Sequence, residues 1–598
     1  MNNSKILGIM FVFLTIIIQS LKAQGTIILA GGGAESDQGI KSAWAYKLFS
    51  KLIENGDTNQ DSIIRVAIIS TGTSDSFLRN YFAWIGTTLE KTVEATDFKV
   101  SSRSDANDSS LIGAVKNADV IFLKGGDQGV NYDLWNETLL ETNIRLVISR
   151  NGAIGGTSAG AMSISAFSFS GSKDLISSDV LTDSKTAYLD DDSEPGTSGI
   201  HTDFLSFLDN TLVDTHFTQR GRLGRLIGLL GKAVEDFSNK SILGIGIEQK
   251  TGLFIKGNTA EVIGNGAVYF IQEKPESMLK REQNRPLFYT NLRLDRLTEG
   301  WRFNLSTNLP DFENLPENVE DVTFSESEKE NSGALIINGG IENEKLKFEK
   351  LISIYPSDFE VQISSESSII AQSIGFTDVG NSSNRMDKQE ALFHGLYESA
   401  SSTGFLLLKG GEISRSSENP DLLNFSQSGT AKEPSTIVID TKTATHKNLS
   451  KSSSNYAISR GKLKAASFVN LTLHVLAESE KEDRGYVYNS KTHTLQSKTS
   501  VSIQSEKELT PKNFKIGNAY PNPFNPNTIF PIQLGKSSTL SLRIMNALGQ
   551  LVYSIRDVVY SQGRHELFWD ASNVSSGVYL VAIKIDGKVN YQKVTLLK

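Results

Sequence analysis

The sequence predicts an α/β protein. A doubly wound parallel sheet is expected toward the N-terminus, then a middle region that reads as a degenerate α/β repeat, then a C-terminal all-β, Ig-like sandwich. Three observations carry this reading. Between Thr26 and Ile271, short β-branched runs alternate with amphipathic stretches at strand, helix, strand spacing. After residue 331, two glycine-ended strands of the first region recur in altered form. From residue 511 onward, short alternating apolar runs are separated by turn signals, the pattern of antiparallel strands.

Residues 1–23 are expected to be a cleaved signal peptide. Lys5 precedes an apolar run from Ile6 to Ile18, and Ala23 offers a small residue at the cut. That run is too short to cross about 30 Å of hydrocarbon as a helix. The first region, 24–290, opens with TIILA (26–30), a helical stretch over 39–54, RVAIIS (65–70) and a second helical stretch over 77–91. DVIFL (119–123), a helical 134–149, GAIGG (152–156), TLVDTHF (211–217) and ILGIGI (242–247) continue the rhythm. In such a sheet the functional groups gather at the carboxyl ends of the strands.

From residue 272 the chain becomes richer in charge, Asn and Pro, and 291–330, with LPDFENLPENVED, is expected to be a linker. The middle region, 331–510, begins with GALIINGG (333–340), an echo of GTIILAGG (25–32), and FLLLKGGE (405–412) echoes VIFLKGGD (120–127). No second Gly-x-Ser-x-Gly follows, so a repeat here would lack a nucleophile and serve as a structural or binding unit. Glycine-ended strands also arise by coincidence. The last region, 511–598, holds AYPNPFNPNTIFPIQL (519–534), LSLRIMNALGQLVYSI (540–555) and GVYLVAIKID (577–586).

Composition removes several function classes. The chain has 598 residues, which points to several domains rather than one core. With 38% hydrophobic and 21% charged residues it is neither collagen-like nor wholly disordered. A net charge of -8 is too mild to advertise nucleic acid as a partner. The cysteine count of 0 excludes a thiolate nucleophile, cysteine-ligated zinc, iron–sulfur clusters and disulfides. Catalysis must therefore use hydroxyl, imidazole or carboxylate groups, and no metal or cofactor is expected.

The sharpest motif is GGTSAGA, Gly155 to Ala161, after a predicted strand and before a helix start. Gly156-Thr157-Ser158-Ala159-Gly160 fits a nucleophile elbow, in which flanking glycines let the backbone turn and expose the seryl oxygen. The amide of Ala159, together with one from Gly32 or Gly33 after the first strand, would face the oxyanion. Within 25–330 the histidines are His201 and His216. His216, in DTHF at a strand end, is the better base; His201 lies in a loop rich in Gly, Ser and Asp. Arg222 and Arg225 read as solvated or salt-bridged surface charges.

These residues also carry a resemblance. LAGGGAE (29–35), FLKGGDQ (122–128), GGTSAGA (155–161), DTHFTQRGRLGRL (214–226) and GIGIEQKT (244–251) resemble, in order, the motifs of the cyanophycinase branch of the cyanophycinase and peptidase E serine peptidases. The resemblance implies a class I glutamine-amidotransferase-like fold and a Ser-His-Glu triad hydrolysing bonds next to aspartyl residues, releasing β-aspartyl-arginine from cyanophycin. It makes Ser158 the nucleophile and His216 the base. Gln128 and Arg220 would hold the substrate, flanked by Asp127 and Asp214. An arginine fork suits a carboxylate, and a glutamine can both donate and accept.

The chain departs from the family at the third triad position. Where the family reads Gly-Ile-Gly-Ile-Asp-Glu, this chain reads Gly244-Ile245-Gly246-Ile247-Glu248-Gln249. Neighbours on a strand face opposite ways, so Glu248 could replace the acid only through a register shift or bulge. Three outcomes are open: a shifted register using Glu248, a slow enzyme using Gln249, or a silent surface protein that binds peptides. A peptidase acting on other isoaspartyl or aspartyl peptides is a further alternative. The C-terminal PNPFNPNT, NALGQLV and SSGVYLVAIKIDGKVNYQKVTLLK resemble the sorting domain of type IX secretion. That resemblance implies export through the periplasm and outer membrane to release or surface attachment. The partners expected are a peptide or cyanophycin-like substrate and the type IX machinery, with a homodimer possible and no nucleic acid.

Overall fold

The computed structural model describes residues 25–322 except 34–37, 58–60, 73–75, 171–174 and 192–197. It also describes strand segments and a few further residues between 334 and 498, and 514–598 except 518, 547–549 and 587. The expected signal peptide, and Glu35 of the first glycine motif, lie outside the described residues.

The N-terminal region alternates as the sequence suggests: β1 (Thr26–Ala30), α1 (Trp44–Gly56), β2 (Ile63–Ser70), α2 (Ser76–Thr88), β3 (Thr92–Lys99), α3 (Ser109–Asn117) and β4 (Val120–Leu123). Then come α4 (Gln128–Trp135), α5 (Leu139–Ser149), β5 (Ala153–Thr157), the single turn α6 (Ala159–Met162), β6 (Ser165–Phe169) and α7 (Ser177–Thr182). The chain continues through β7 (Ile200–His201), β8 (Leu208–Thr215), α8 (Leu223–Phe237), β9 (Leu243–Ile247), β10 (Thr251–Lys256), β11 (Thr259–Gly264), β12 (Ala267–Lys280) and β13 (Phe288–Thr298).

The parallel strands belong to two sheets rather than one. In the first the order is β3-β2-β4-β5-β1-β10-β11, parallel as far as β1 and antiparallel from β10. In the second, β6, β8 and β9 are parallel, and β12 and β13 add antiparallel. Period-two alternation sorts the side chains of β1. Ile28 and Ala30 pack with α1 and α2 on one face, whereas Ile27 and Leu29 pack on the other with Ile245 and Val268 of the second sheet. The outer face of the second sheet packs against α7 and α8 through residues such as Val180, Leu181, Leu226 and Leu230.

The first part of the stretch expected as a linker, to about residue 304, is instead built into the sheets. β13 occupies 288–298, with Leu292, Leu294 and Leu297 fully buried, and Arg302–Asn304 extends the first sheet beside β11. The charge that suggested a loop is neutralised internally: Arg293 pairs with buried Asp295 at 2.7 Å. The sheet then runs on into the middle region, because Gly461–Leu476 pairs antiparallel with β13 and Thr436–Asp440 pairs with Gly461–Leu476. The two echoed strands are also formed, as Ala334–Ile337 and Thr403–Leu406. They lie side by side in parallel, whereas β1 and β4 are separated by β5.

Residues 500–598 form a second compact unit. Two antiparallel sheets, one containing Asn527–Leu534 and Gly563–Asp570, the other Ser538–Met545 and Gly577–Ile585, enclose Phe530, Ile532, Leu542, Trp569, Val581 and Ile583. This is the expected all-β sandwich.

Candidate active site

The carboxyl ends of β1, β4, β5, β8 and β9 converge on Ser158. This residue follows β5 directly, with φ 54° and ψ −123°, a backbone conformation that costs about 1–3 kcal/mol outside glycine. Its amide donates to the Ala30 carbonyl at 2.9 Å. The flanking glycines have a steric reason: a Cβ on Gly156 would stand 2.4 Å from the Gly160 carbonyl carbon, and one on Gly160 would stand 2.2 Å from the Leu123 oxygen. Because α6 has a single turn, it offers the seryl oxygen first-turn amides such as that of Ala159 rather than the field of a long helix.

His216 follows β8, also at positive φ (48°), and its amide donates to the Gly31 carbonyl at 2.9 Å. Its Nε2 lies 2.7 Å from Ser158 Oγ. On the other side of the ring, Nδ1 lies 2.7 Å from Gln249 Nε2. Glu248 turns the opposite way. It is fully buried, and its Oε1 accepts from Thr218 Oγ1 at 2.7 Å, Arg296 Nη2 at 2.9 Å and Tyr269 OH at 3.2 Å. The pairing of β9 with β8 runs unbroken from Leu243 to Ile247, so no shift or bulge brings Glu248 round. Gln249, not Glu248, therefore stands where the imidazole needs a partner.

Electrostatics keep the imidazole neutral. Burial pushes the His216 pKa down to about 3; Arg220 and Arg222 add to this, Asp214 opposes it, and Arg225 adds again. A neutral ring can take a proton from serine. The Gln249 amide can present either an acceptor or a donor to Nδ1, depending on which way it is turned. Only the acceptor orientation holds Nδ1–H and leaves Nε2 free to act as a base.

The other expected residues fall in three places. Gly32 (φ 87°) packs against the base, since a Cβ there would stand 2.4 Å from His216 Cε1; Gly33 abuts Lys250 and Gln249. Gly125 faces the elbow: a Cβ on it would lie 3.1 Å from Ser158 Cβ, 3.4 Å from the Thr157 oxygen and 3.6 Å from Ser158 Oγ. The sequence reading passed over Gly125, although it sits in the quoted FLKGGDQ motif. Asp127 caps α4, accepting from the Gly129 amide at 2.8 Å, and buried Gln128 donates to the Ser170 carbonyl at 3.3 Å.

Arg220 is exposed on the turn after His216, near enough to depress that residue's pKa. Asp214 is not a substrate contact. It is fully buried, with Arg225 Nε on Oδ2 at 2.9 Å, and Arg225 Nη2 and Arg222 Nη1 each on Oδ1 at 3.0 Å. Arg222 and Arg225 are correspondingly interior rather than surface charges. Residues three apart on a helical turn share a face, and here that face is turned toward Asp214. His201 lies apart, stacked on Tyr132 at 3.7 Å between ring centroids and 3.2 Å from Asp191. Among the described residues no cluster of His, Asp and Glu could hold a metal ion.

Residues 518–596 match the family of secretion system C-terminal sorting domains. This domain addresses the chain to type IX secretion, and so to the cell surface or extracellular space. The chain is 30% identical over 225 residues to a cyanophycinase of Geminocystis herdmanii, covering 36% of this chain and 74% of that one. It is 30% identical over 214 residues to a cyanophycinase of Synechococcus elongatus, covering 35% of this chain and spanning 59% of that relative's length. A solved peptidase from an acI-B1 actinobacterium is 20% identical, with a TM-score of 0.31, covering 47% of this chain and 98% of its own.

Proposed function

The chain belongs to the cyanophycinase family, and from that premise we propose that it is an exported serine peptidase cleaving aspartyl peptide bonds, with β-aspartyl-arginine units of cyanophycin as its first substrate class. The observation that carries this reading is the 2.7 Å contact between Ser158 Oγ and His216 Nε2 at the head of a strand-to-helix elbow.

In this mechanism Ser158 Oγ attacks the aspartyl carbonyl while its proton passes to His216 Nε2. The amides of Ala159 and of the neighbouring glycine turns, Gly32 and Gly33 or Gly125, receive the developing oxyanion. His216 then protonates the leaving amine, and an ester remains on Ser158. Water, deprotonated by the same imidazole, opens that ester and regenerates the hydroxyl. Arg220 offers a charged fork to a substrate carboxylate, while Asp127 and Gln128 shape the neighbouring α4 turn. Gln249 orients His216 but lends no charge to the imidazolium, so the reaction is slower than in a carboxylate triad.

The test is release of β-aspartyl-arginine from cyanophycin by the purified chain. Release that disappears in Ser158→Ala supports the proposal. Release that persists in Ser158→Ala, or no cleavage of cyanophycin or β-aspartyl dipeptides by the parent, refutes it. Gln249 favours one competing reading, a weakly active surface protein that binds such peptides, and retained peptide binding without turnover would establish it.

A further inference from the structure

The buried charge behind the base leads out of the peptidase-like region. Arg296 of β13 and Glu248 are both fully buried and pair at 2.9 Å. A desolvated pair of this kind depends on the polar and aromatic groups packed around it. Tyr269 supplies part of this, accepting from Arg296 Nε at 2.8 Å and lying 5.1 Å beneath the guanidinium. The middle region supplies further contacts to Arg296. Arg296 Nη1 donates to the Ala466 carbonyl, and the Phe393 ring stands 4.8 Å from the guanidinium, edge-on to Tyr269. Phe393 is itself fully buried, 5.5 Å from Tyr269 and 6.4 Å from Phe468.

On its inner side the same pair grips the turn that carries the base. Glu248 Oε1 accepts from Thr218 Oγ1 at 2.7 Å, and Thr218 opens the short 3-10 turn Thr218–Arg220. That turn closes back on His216, whose carbonyl accepts from the Arg220 amide at 3.0 Å. His216 sits at positive φ, so its ring position depends on what holds the backbone immediately after it.

We propose that Phe393 and the strands within 435–476 are part of the hydrolase itself, holding the His216 turn in register through Arg296, Glu248 and Thr218. Glu248 is thus a positioning residue, acting on the base from behind. The proposal rests on the assignment of His216 as base. It gives the middle region a catalytic duty that a separate binding module would not have.

Removing Glu248 or Arg296 would leave its partner charged and buried, so the test uses neutral members of the chain of contacts in the full-length protein. Thr218→Val keeps the shape and deletes the hydroxyl, Thr218→Ser restores it, and Phe393→Ala uncovers Arg296. The expected result is kcat lowered about tenfold in Thr218→Val and in Phe393→Ala with KM changed less than about twofold, and recovery in Thr218→Ser. The His216 resonance in a histidine-labelled sample should shift in the first two variants and not in the third. If kcat per folded molecule stays within about twofold of the parent in both variants, the proposal is overturned. Should the parent cleave no substrate, the peptidase reading fails on its own, and the His216 resonance decides: unmoved by both substitutions, it overturns the positioning role.

Discussion

The side-chain amide of Gln249 lies 2.7 Å from Nδ1 of His216, on the side of the ring away from Ser158. A carboxylate in that place is acceptor-only, fixing the useful tautomer and stabilising the imidazolium; an amide does the first in one of its two orientations and the second in neither. Gln249→Glu is therefore expected to raise kcat by on the order of 10² to 10⁴, the reverse of the penalty for amidating the acid in a serine triad. Steady-state kinetics on a β-aspartyl peptide measure it. A variant no faster than the parent would mean that Gln249 is not the orienting residue.

The pH dependence follows from the depressed His216 pKa. The ordinary value is 6.5, and in the folded chain it is about 3, so the neutral base persists well into acid. The acid limb of kcat/KM should accordingly fall below pH 6.5 toward 3, and Gln249→Glu should move it upward by placing an anion beside the ring. For stability the sign is fixed by proton uptake. Below 6.5 the unfolded histidine binds a proton that the folded one refuses until about 3. This contribution is whole above 6.5 and is lost progressively as pH falls through that window. Denaturant melts from pH 7 to pH 4, compared with those of His216→Gln, report the difference.

Gly32→Ala should disable the enzyme without unfolding it. The residue has φ 87°, and its new methyl group would lie 2.4 Å from His216 Cε1, forcing the ring away from Ser158. A displacement of that order is expected to lower kcat about 100-fold or more. Kinetics together with circular dichroism separate this from loss of structure.

Asp214→Ala should act on stability. It would strand Arg222 and Arg225, with Arg225 only 5% exposed, and breaking a buried pair from one side costs about 3–5 kcal/mol. Chemical denaturation checks the magnitude, and a loss below about 1 kcal/mol would contradict the buried network.

Much of the site was legible because its residues are local to their motifs. Ser158 with its glycines, and His216 at a strand end, are marked by sequence, and strand alternation alone predicts that Glu248 and Gln249 face apart. Which of the two met the base required the register of β9. Asp214 was placed beside the substrate by the family resemblance alone; the arginines that occupy it return from 8 and 11 residues later. Most of β13 was misread as linker because Asp295 and Arg296 make its composition polar, and some of their partners, such as Asn470 and Ala466, lie at sequence separations of 175 and 170. Local composition carries no trace of such pairings.

The position of β13 between β12 and Gly461–Leu476 has a practical bearing on how the protein can be dissected. A chain cut near residue 330 would keep β13 but strip its outer neighbour, leaving unpaired backbone amides and carbonyls flanked by Leu292 and Leu294. Such an edge is a template for strand addition between molecules. An excised peptidase fragment would thus be sticky and prone to aggregate, however intact its serine and histidine.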